Sequence, residues 1–567
     1  MSVRRSDPRA LDEAVEVLAD RKDEWAALLI PERISLLRRC VDGYLRAAPQ
    51  VVAAGCQAKR LNPRSPAAGE EWMSGPVPVI RNLRLLVESL SRIHRDGYLA
   101  LPDETVRRTP TGVLAVRVFP ADSLERFMYP GTRIDVWMQP DVDEAGVRGM
   151  AGAAYRADRR VEGRVALVLG AGNVASIGPM DVLHKLFVEN QVVVLKMHPV
   201  NDYLGPLLER GFKALIDAGF LRVVYGDARE GQHLVHHPAV DEVHMTGSTA
   251  VHDRIVWGDT SEEQALRRAT GVPKVAKRFT SELGCVTPTI IVPGHWSDAE
   301  LQYQAENVAT MVAHSASCTC TSAKLLITWR GWPQRRRFLD AIAAILSKHP
   351  PRHASYPGAA LQYDRFLGAY PQARRLYRAS GDTMACATIY DIDPSLAVDL
   401  AFREEAWSPI LAETAIDAAG EAEFLDSAVR FCNERVFGTL SAGMIVQPAT
   451  CRRLGNHFDR AVADLRYGTV AVNHWTAVGF GLAVAPWGAY PGHTLEDVGS
   501  GIGAVHNTLM LERSLKSIVW GPFRTSPKPP WFITHRRAHT VGRRMAAFEA
   551  SPAWWRLPGI AIAAARP

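Results

Sequence analysis

The sequence predicts an α/β protein with two lobes, each built on a sheet of mostly parallel strands. Residues 165–249 alternate apolar strand segments with helical segments in units of about thirty residues, which is typical of parallel strands joined by crossover helices. The same alternation resumes after Glu282. The chain has 567 residues, 47% of them hydrophobic and 22% charged, so it is long and apolar enough to bury two large cores.

The individual elements follow from the hydrophobic periodicity. The predicted helices are 25–61, 77–93, 180–187, 204–218, 299–314 and 335–348. The predicted strands are 165–169, 192–196, 221–225, 240–245, 289–292 and 324–328. Residues 110–138 are rich in turns and in β-branched runs, and Pro527, Pro529 and Pro530 predict a stiff, extended linker near the C-terminus.

Composition excludes several classes of protein. The apolar fraction is too high and the net charge of +6 too low for a disordered chain, and the uncharged run of residues 165–180 is too short and too rich in glycine for a membrane span. No secretory signal is visible at the N-terminus. Eight cysteines in so long a chain are too few for a disulfide framework, so we expect a reducing, cytoplasmic location.

A glycine-rich motif follows the first strand of the predicted parallel sheet. Gly170, Gly172 and Ala175 match the G-x-G-x-x-A dinucleotide fingerprint formally. That fingerprint also requires an acidic residue at the end of the next strand, where this chain has Lys196. An ordinary Rossmann site is therefore disfavoured.

Five further motifs occur in a consistent order along the chain. They are His244-Met-Thr-Gly-Ser-Thr249, Glu282-Leu-Gly-Cys285, Cys320-Thr-Ser-Ala-Lys324, Glu405-Ala-Trp-Ser-Pro409 and Gly468-Thr-Val-Ala-Val-Asn473. Together they resemble the aldehyde dehydrogenase superfamily, over about residues 25–523. The resemblance implies two Rossmann-like α/β lobes with parallel sheets and a small β-arm for oligomerisation, for which residues 515–523 are the candidate.

The resemblance also implies a catalytic set that suits the chemistry. A cysteine thiolate adds to an aldehyde carbon and later leaves from a thioester, an amide stabilises the oxyanion, and a carboxylate activates the water that hydrolyses the thioester. The matching residues are Cys320 as nucleophile, Asn173 as oxyanion donor and Glu282 as base. Cys318 is the second candidate for the nucleophile. It ranks lower because the family motif that follows the nucleophile would have to be shifted by two positions to match it.

The cofactor implied by the resemblance is NAD or NADP. Lys196 resembles the lysine that binds the adenine ribose, Gly247 and Ser248 the helix start that meets the pyrophosphate, Glu405 the acid that holds the nicotinamide ribose, and Trp407 replaces its usual phenylalanine neighbour.

The choice between the two cofactors rests on the residues after Lys196. Pro199 stands where the family often has a glutamate that repels the extra phosphate of NADP. NADP is therefore not excluded, and His198 or Lys185 would accept its phosphate, but we rank NAD slightly ahead.

Two features of the sequence leave alternative functions open. The sequence Lys196-Met-His-Pro199 is similar to a stretch of acylating, coenzyme A-dependent reductases, although these generally lack the glutamate that Glu282 supplies. His252 replaces a glycine after the Gly-Ser-Thr motif, which raises the alternative of a catalytically lapsed binding or scaffold protein.

The expected organisation has four segments. Residues 1–285 form the cofactor-binding domain, 286–475 the catalytic domain, 476–523 the return to the cofactor domain with the oligomerisation arm, and 524–567 a basic tail. We expect an aldehyde substrate, a homodimer or homotetramer, no metal and no nucleic acid.

The tail carries eight basic side chains against Glu549 alone, interleaved with tryptophans. A subunit interface is the favoured explanation of this pattern, and contact with a membrane surface is the less favoured one.

Overall fold

Two mixed, mostly parallel sheets organise the chain, whose computed structural model describes residues 3–156 and 162–566. The first sheet contains, in spatial order, Gly501–Ile502, Arg278–Glu282, Glu242–Thr246, Val165–Leu169, Val192–Lys196 and Leu221–Val224. All neighbours in it pair in parallel except the antiparallel strand Gly501–Ile502. The strands are almost fully buried, as expected for a parallel sheet covered by helices on both faces.

The second sheet is wider and joins distant parts of the chain. It contains, in spatial order, Val106–Arg108, Leu114–Phe119, Arg133–Met138, Ser514–Trp520, Thr469–Val472, Ser441–Ile445, Pro288–Ile291, Leu325–Trp329, Ile410–Ile416, Ala387–Ile392 and Arg374–Arg375. Its central strands are parallel, and both margins are antiparallel. Two short antiparallel pairs complete the strands, Arg352–His353 with Thr383–Met384 and Pro486–Gly488 with Ala504–His506.

Helices surround both sheets. In the first half of the chain they are Pro8–Ala27, Ile30–Ala58, Ala68–Met73, Pro76–Asp96, Ser123–Met128, Glu144–Arg148, Ile177–Leu183, Gly205–Gly211, Lys213–Asp217, Ala228–His236, Thr249–Val256 and Ser261–Thr270. In the second half they are Asp298–Ala313, Arg335–Leu346, Ala359–Ala369, Leu400–Arg403, Glu421–Arg435, Pro448–Leu454, Asn456–Asp464, Thr476–Leu482, Ala538–Ala550 and Leu557–Ala564. None of the helices in the described part of the chain has the length and apolarity needed to cross a bilayer.

The predicted α/β class with two parallel-sheet lobes is confirmed, with local differences. The helix predicted over 204–218 is two helices, which meet at Phe212. The N-terminal helix Pro8–Ala27 was not predicted, although Asp7 caps it and Pro8 occupies its first position. Only one stripe of this helix is apolar and buried, and its other faces are charged. The helix is therefore recognised mainly from its packing in the structure and not from its sequence.

The candidate arm lies within the chain's own sheet. Ser514–Trp520 pairs in parallel with Thr469–Val472 and antiparallel with Arg133–Met138. Three strands from residues 106–138 therefore extend the sheet of the second lobe, although they belong to the segment expected to form the cofactor domain. The four segment boundaries and the oligomeric state remain predictions.

The C-terminal tail packs on its own chain, which neither explanation of its basic and aromatic pattern had predicted. Ala538–Ala550 lies against Ala68–Met73 and Pro76–Asp96, so closely that a Cβ at Gly542 would meet the Cβ of Trp72 at 2.5 Å. Trp554 and Trp555 remain exposed on the surface. The tail is thus an integral part of the first lobe's helical layer.

One buried acid anchors this helix. Glu549 is fully buried and forms ion pairs with Arg81 at 3.2 Å and Arg84 at 2.7 Å. Burial raises the pKa of Glu549, but the two guanidinium groups outweigh it and hold the pKa below its usual value. The tail is therefore fixed to Pro76–Asp96 by a desolvated charge network.

We expect Glu549→Gln to lower the free energy of unfolding by about 3–5 kcal/mol, because it removes the fully buried carboxylate that Arg81 and Arg84 share and leaves them only Glu125 and the half-exposed Glu88. Urea denaturation followed by circular dichroism measures this loss. Glu88→Gln is the matched control, since Glu88 pairs with the same Arg84 but is 50% exposed. Its expected loss is under about 1 kcal/mol, and equal losses in the two variants would contradict the anchoring role.

Candidate active site

The predicted nucleophile and the predicted base are in direct contact. Glu282 is the last residue of the strand Arg278–Glu282, and Cys320 lies in the loop that precedes Leu325–Trp329. The Cys320 thiol donates to Glu282 Oε1, with 3.2 Å between Sγ and Oε1. The two residues come from different sheets, so this pair lies where the two lobes meet.

Both groups of this pair are protonated more readily than usual. Burial, assisted by the negative charge of nearby Asp181, raises the pKa of Glu282 to about 7. Burial and the negative charge of Glu282 raise the pKa of the Cys320 thiol well above its ordinary value. Without a ligand the pair therefore holds a thiol beside a carboxyl group that titrates near neutrality, which suits a base in aqueous solution.

Asn173 lies beside the loop that carries Cys320. Its Nδ2 donates to the backbone oxygen of Cys318 at 3.1 Å, which places the amide beside the Cys320 segment. An amide nitrogen carries two N–H donors, so one remains for a ligand.

Cys318 has a different environment from Cys320. Its thiol points to the carbonyl oxygen of Trp407 at 3.4 Å, and burial raises its pKa to about 11. Unlike Cys320, it does not line either of the two cavities described below, within the part of the chain that the structure covers.

The loop before Cys320 is held in an unusual backbone conformation. Ser315, Ala316 and Ser317 all have φ between 52° and 61°, in the left-handed region that non-glycine residues rarely adopt. Glu70, which forms a bidentate pair with Arg352, accepts a hydrogen bond from the Ser315 N–H at 3.0 Å. No local sequence pattern predicts this support, because Glu70 lies about 250 residues from the loop in the chain.

A cleft of about 790 Å³ opens on one side of Cys320. It is lined by Lys196 at the end of its strand, by Gly247 and Ser248, and by Glu282. The Ser248 hydroxyl caps the helix Thr249–Val256 by accepting from Val251 N, and Gly247 and Ser248 are exposed. Free N–H groups at a helix start attract anions such as a pyrophosphate.

Glu405 and Trp407 also line this cleft. Burial raises the pKa of Glu405 to about 7, and its Oε1 is enclosed without a hydrogen-bond partner among the described residues. Gly284 provides the space for this carboxylate, since a Cβ there would lie 2.3 Å from Glu405 Oε2. An enclosed acceptor without a partner suits a ligand hydroxyl.

The residues of this cleft fit a dinucleotide. The volume lies within the range of about 300–1,000 Å³ for small-molecule sites. Burial lowers the pKa of Lys196 to about 8, with Asp227 opposing the shift, so Lys196 is largely protonated at neutral pH.

Two residues suggested as partners for the extra phosphate of NADP do not provide a positive charge in the cleft. Lys185 is buried and paired with Glu189 at 3.0 Å and with Glu242, so that suggestion is wrong. His198 lines the cleft, but burial lowers its pKa to about 4, so its ring is neutral at pH 7.

His252, the departure that raised the alternative of a lapsed enzyme, points away from the cleft. Its side chain is fully buried, its ring packs against Phe279 at 5.3 Å, and it is not part of the cleft wall. The substitution therefore leaves the helix start at Ser248 accessible.

A second cavity of about 120 Å³ adjoins Cys320. Cys320 and Ile177 line both this cavity and the cleft. No sequence motif indicated the second cavity, because its walls come from unconnected parts of the chain, including Trp531 and Met545 of the tail. Cys320 thus stands between a cleft that contains several charged side chains and a mainly apolar chamber.

Comparisons with known proteins agree with this architecture. Residues 180–355 match the model of the aldehyde dehydrogenase family. The fold is similar to the NADP-dependent glyceraldehyde-3-phosphate dehydrogenase of Bacillus halodurans C-125 in complex with NADP, with a TM-score of 0.59, 17% identity and coverage of 91% of each chain. An indole-3-acetaldehyde dehydrogenase in complex with NAD+ gives a TM-score of 0.58 and 18% identity, over 92% of this chain and 90% of that one.

A third structure extends the likeness to a plant protein. Aldehyde dehydrogenase 21 of Physcomitrella patens, in complex with the reaction product succinate, gives a TM-score of 0.60 at 14% identity, over 91% of this chain and 90% of that one. Residues 180–355 thus match the aldehyde dehydrogenase family, and the chain has the aldehyde dehydrogenase fold over about nine tenths of its length.

Proposed function

We propose that this protein oxidises an aldehyde to a carboxylic acid with NAD or NADP through a thioester on Cys320. The observation that carries the proposal is the 3.2 Å contact between Cys320 Sγ and Glu282 Oε1 at the junction of the cleft and the chamber. This contact supports the proposal because the proposed nucleophile and base would then lie between a site that suits a dinucleotide and a site that suits an apolar group.

The side chains of this site divide the chemistry among them. Glu282 takes the thiol proton, and Cys320 Sγ then forms a bond to the aldehyde carbon, whose oxygen becomes an oxyanion. The free N–H of Asn173 Nδ2 donates to that oxygen. A bound nicotinamide would accept the hydrogen and the electron pair that leave this carbon, and a thioester on Cys320 remains.

Hydrolysis of the thioester completes the cycle. Glu282 passes its first proton to solvent and then accepts a proton from water, whose oxygen bonds to the thioester carbon. The C–S bond breaks, Cys320 leaves as a thiolate and recovers a proton, and the acid is released. Aldehyde, water and NAD(P)+ are thus converted into carboxylate, NAD(P)H and protons.

Three groups would hold the dinucleotide. Lys196 would bind the adenine ribose, Gly247 and Ser248 the pyrophosphate, and Glu405 with Trp407 the nicotinamide ribose, since all of them line the cleft. A neutral His198 and the carboxylate of Asp227 in the cleft disfavour an additional phosphate, which supports NAD over NADP.

The test is an assay of the purified protein with aldehydes, NAD, NADP and coenzyme A in all combinations. Reduced cofactor and free acid without coenzyme A are expected, with NAD the better cofactor. Strict dependence on coenzyme A would instead establish the acylating alternative. Isothermal titration with each dinucleotide tests the scaffold alternative. If the protein binds neither dinucleotide and turns over no aldehyde, the proposed oxidation is refuted.

The rate is expected to depend on pH through Glu282. Its carboxyl group carries a proton below its pKa of about 7 and then cannot accept one. We therefore expect kcat/KM to fall about tenfold per pH unit below pH 7 and to level off above it. Steady-state rates between pH 5 and 9 measure this profile, and a flat profile down to pH 5 would exclude Glu282 as the base.

Lys196→Ala is expected to raise the KM for NAD at least about tenfold with a smaller change in kcat, because a charge-assisted hydrogen bond to the ribose is lost. Initial rates at varied NAD measure it. Lys213→Ala is the matched control, since Lys213 is 71% exposed and pairs only with Asp217 among the described residues. An unchanged KM in Lys196→Ala would remove this residue from the cofactor site.

A further inference from the structure

The chamber beside Cys320 is built mainly of apolar side chains. Val77, Val174, Phe480 and Leu482 contribute aliphatic and aromatic surface, and Trp475 stands against the nucleophile loop, where its Nε1 donates to Thr321 O at 2.7 Å. Such a wall favours an uncharged ligand, because burying a charge there without a partner is costly.

The charged and titratable residues of the chamber leave no free charge. Arg81 is buried and paired with Glu125 and Glu549. Burial lowers the pKa of His314, with Glu70 opposing the shift, so its ring is neutral at pH 7. A carboxylate or phosphate on the substrate would therefore find no unpaired cation among the residues that line this chamber.

The C-terminal tail supplies part of the wall. Trp531 lines the chamber and stacks on His474 with ring centroids 5.7 Å apart, and Met545 lines it from the helix Ala538–Ala550. The segment around Trp531 is fixed by an ion pair of Lys528 with Glu306 at 2.8 Å and by Ile533 N donating to Thr310 Oγ1.

We propose that the tail is a specificity element that closes the substrate site, and that the substrate is an uncharged apolar aldehyde. This inference rests on the proposed oxidation. A buried apolar cavity of about 150 Å³ accommodates benzene, so a chamber of about 120 Å³ fits a group near that size. The expected substrates are benzaldehyde-like aldehydes and straight-chain aldehydes of about five to seven carbons.

The first test is a substrate series with the wild-type protein: propanal, pentanal, hexanal, decanal, benzaldehyde and succinic semialdehyde. We expect kcat/KM to rise about fourfold per added methylene up to hexanal, the fold-change that corresponds to about 0.8 kcal/mol per buried CH₂. Decanal and the anionic succinic semialdehyde are expected at least tenfold below hexanal. A preference for succinic semialdehyde would overturn the apolar assignment.

The second test uses variants of the tail. Trp531→Ala enlarges the chamber and is expected to improve decanal relative to hexanal at least tenfold. Met545→Phe reduces it and is expected to lower kcat/KM for hexanal more than for propanal. Trp555→Ala is the matched control, because Trp555 lies in the same tail but is 73% exposed, and its profile should match that of the wild type within twofold.

Identical chain-length profiles in Trp531→Ala, Met545→Phe and Trp555→Ala would refute the role of the tail and leave the oxidation intact. If Trp531→Ala does not fold, Met545→Phe decides alone. Calorimetric titration with hexanamide, an unreactive analogue, separates the two proposals. If hexanamide binds, binding weakens in Trp531→Ala and no aldehyde is turned over, the oxidation is refuted and the role of the chamber is retained. If hexanamide does not bind and no aldehyde is turned over, both proposals are refuted.

Discussion

Cys320→Ala is expected to lower kcat/KM for aldehyde oxidation by about 10⁴-fold or more, because removal of a covalent nucleophile eliminates the bond on which the later steps depend. Release of reduced cofactor, followed by absorbance, measures the loss. Folding and dinucleotide binding should be retained, because the side chain is small and only half-buried.

Cys318→Ala is the matched control for this variant. Cys318 lies two residues away and is buried, but its thiol faces Trp407 O and lines neither cavity in the described part of the chain. Its expected loss is less than about tenfold, from packing alone. If Cys318→Ala is inactive and Cys320→Ala is active, the nucleophile is Cys318 and our assignment is wrong.

Alkylation provides a second measurement of the same point. We expect iodoacetamide to label Cys320 before Cys318, slowly at pH 7 and faster as pH rises, since burial and Glu282 hold the pKa of the Cys320 thiol high. Peptide mapping by mass spectrometry identifies the labelled residue. Labelling of neither cysteine in the active protein would count against both.

Glu282→Gln is expected to slow steady-state turnover about 10²–10⁴-fold, the range for loss of a general base. Glutamine keeps the shape of the side chain but cannot accept a proton. Thiolate formation is slower, and hydrolysis of the thioester is slower still, so one equivalent of reduced cofactor should form before turnover stalls. Rapid-mixing absorbance and intact-protein mass spectrometry detect the burst and the acyl adduct on Cys320.

The control for this carboxylate is Glu404→Gln. Glu404 also lies in the wall of the cleft, but it is half-exposed and paired with Arg365. It should retain turnover within a few-fold and show no acyl adduct. Should Glu282→Gln hydrolyse its thioester at the wild-type rate, another group activates water and the proposed base is wrong.

Much of the fold was predictable because it is encoded locally. The apolar strands Val165–Leu169 and Val192–Lys196 and the helix Asp298–Ala313 follow from the periodicity of neighbouring residues. The two strands have the predicted bounds, and both ends of the helix shift by one position. The split of a predicted helix at Phe212 was not predictable in this way, because tertiary contacts decide where a helix interior is interrupted.

The residues of the candidate site were likewise predictable only in part. Motif order identified Cys320, Glu282, Asn173 and Lys196 as residue types suited to thioester chemistry and dinucleotide binding. The same reasoning offered Lys185 as a phosphate partner, and this failed because its buried pairing with Glu242 depends on a strand 57 residues away. A charge's partner is a property of the packed structure.

The amino-acid sequence by itself determined the α/β class, the order of the motifs and the chemical groups available for catalysis, since these depend on residue identity and on neighbours within a few turns. Tertiary structure alone decided that Cys320 meets Glu282 where the two lobes join and that Trp531 and Met545 of the tail line the same chamber as Cys320. The physical reason is that burial and proximity arise from packing between segments that lie tens to hundreds of residues apart in the chain, which local patterns do not record.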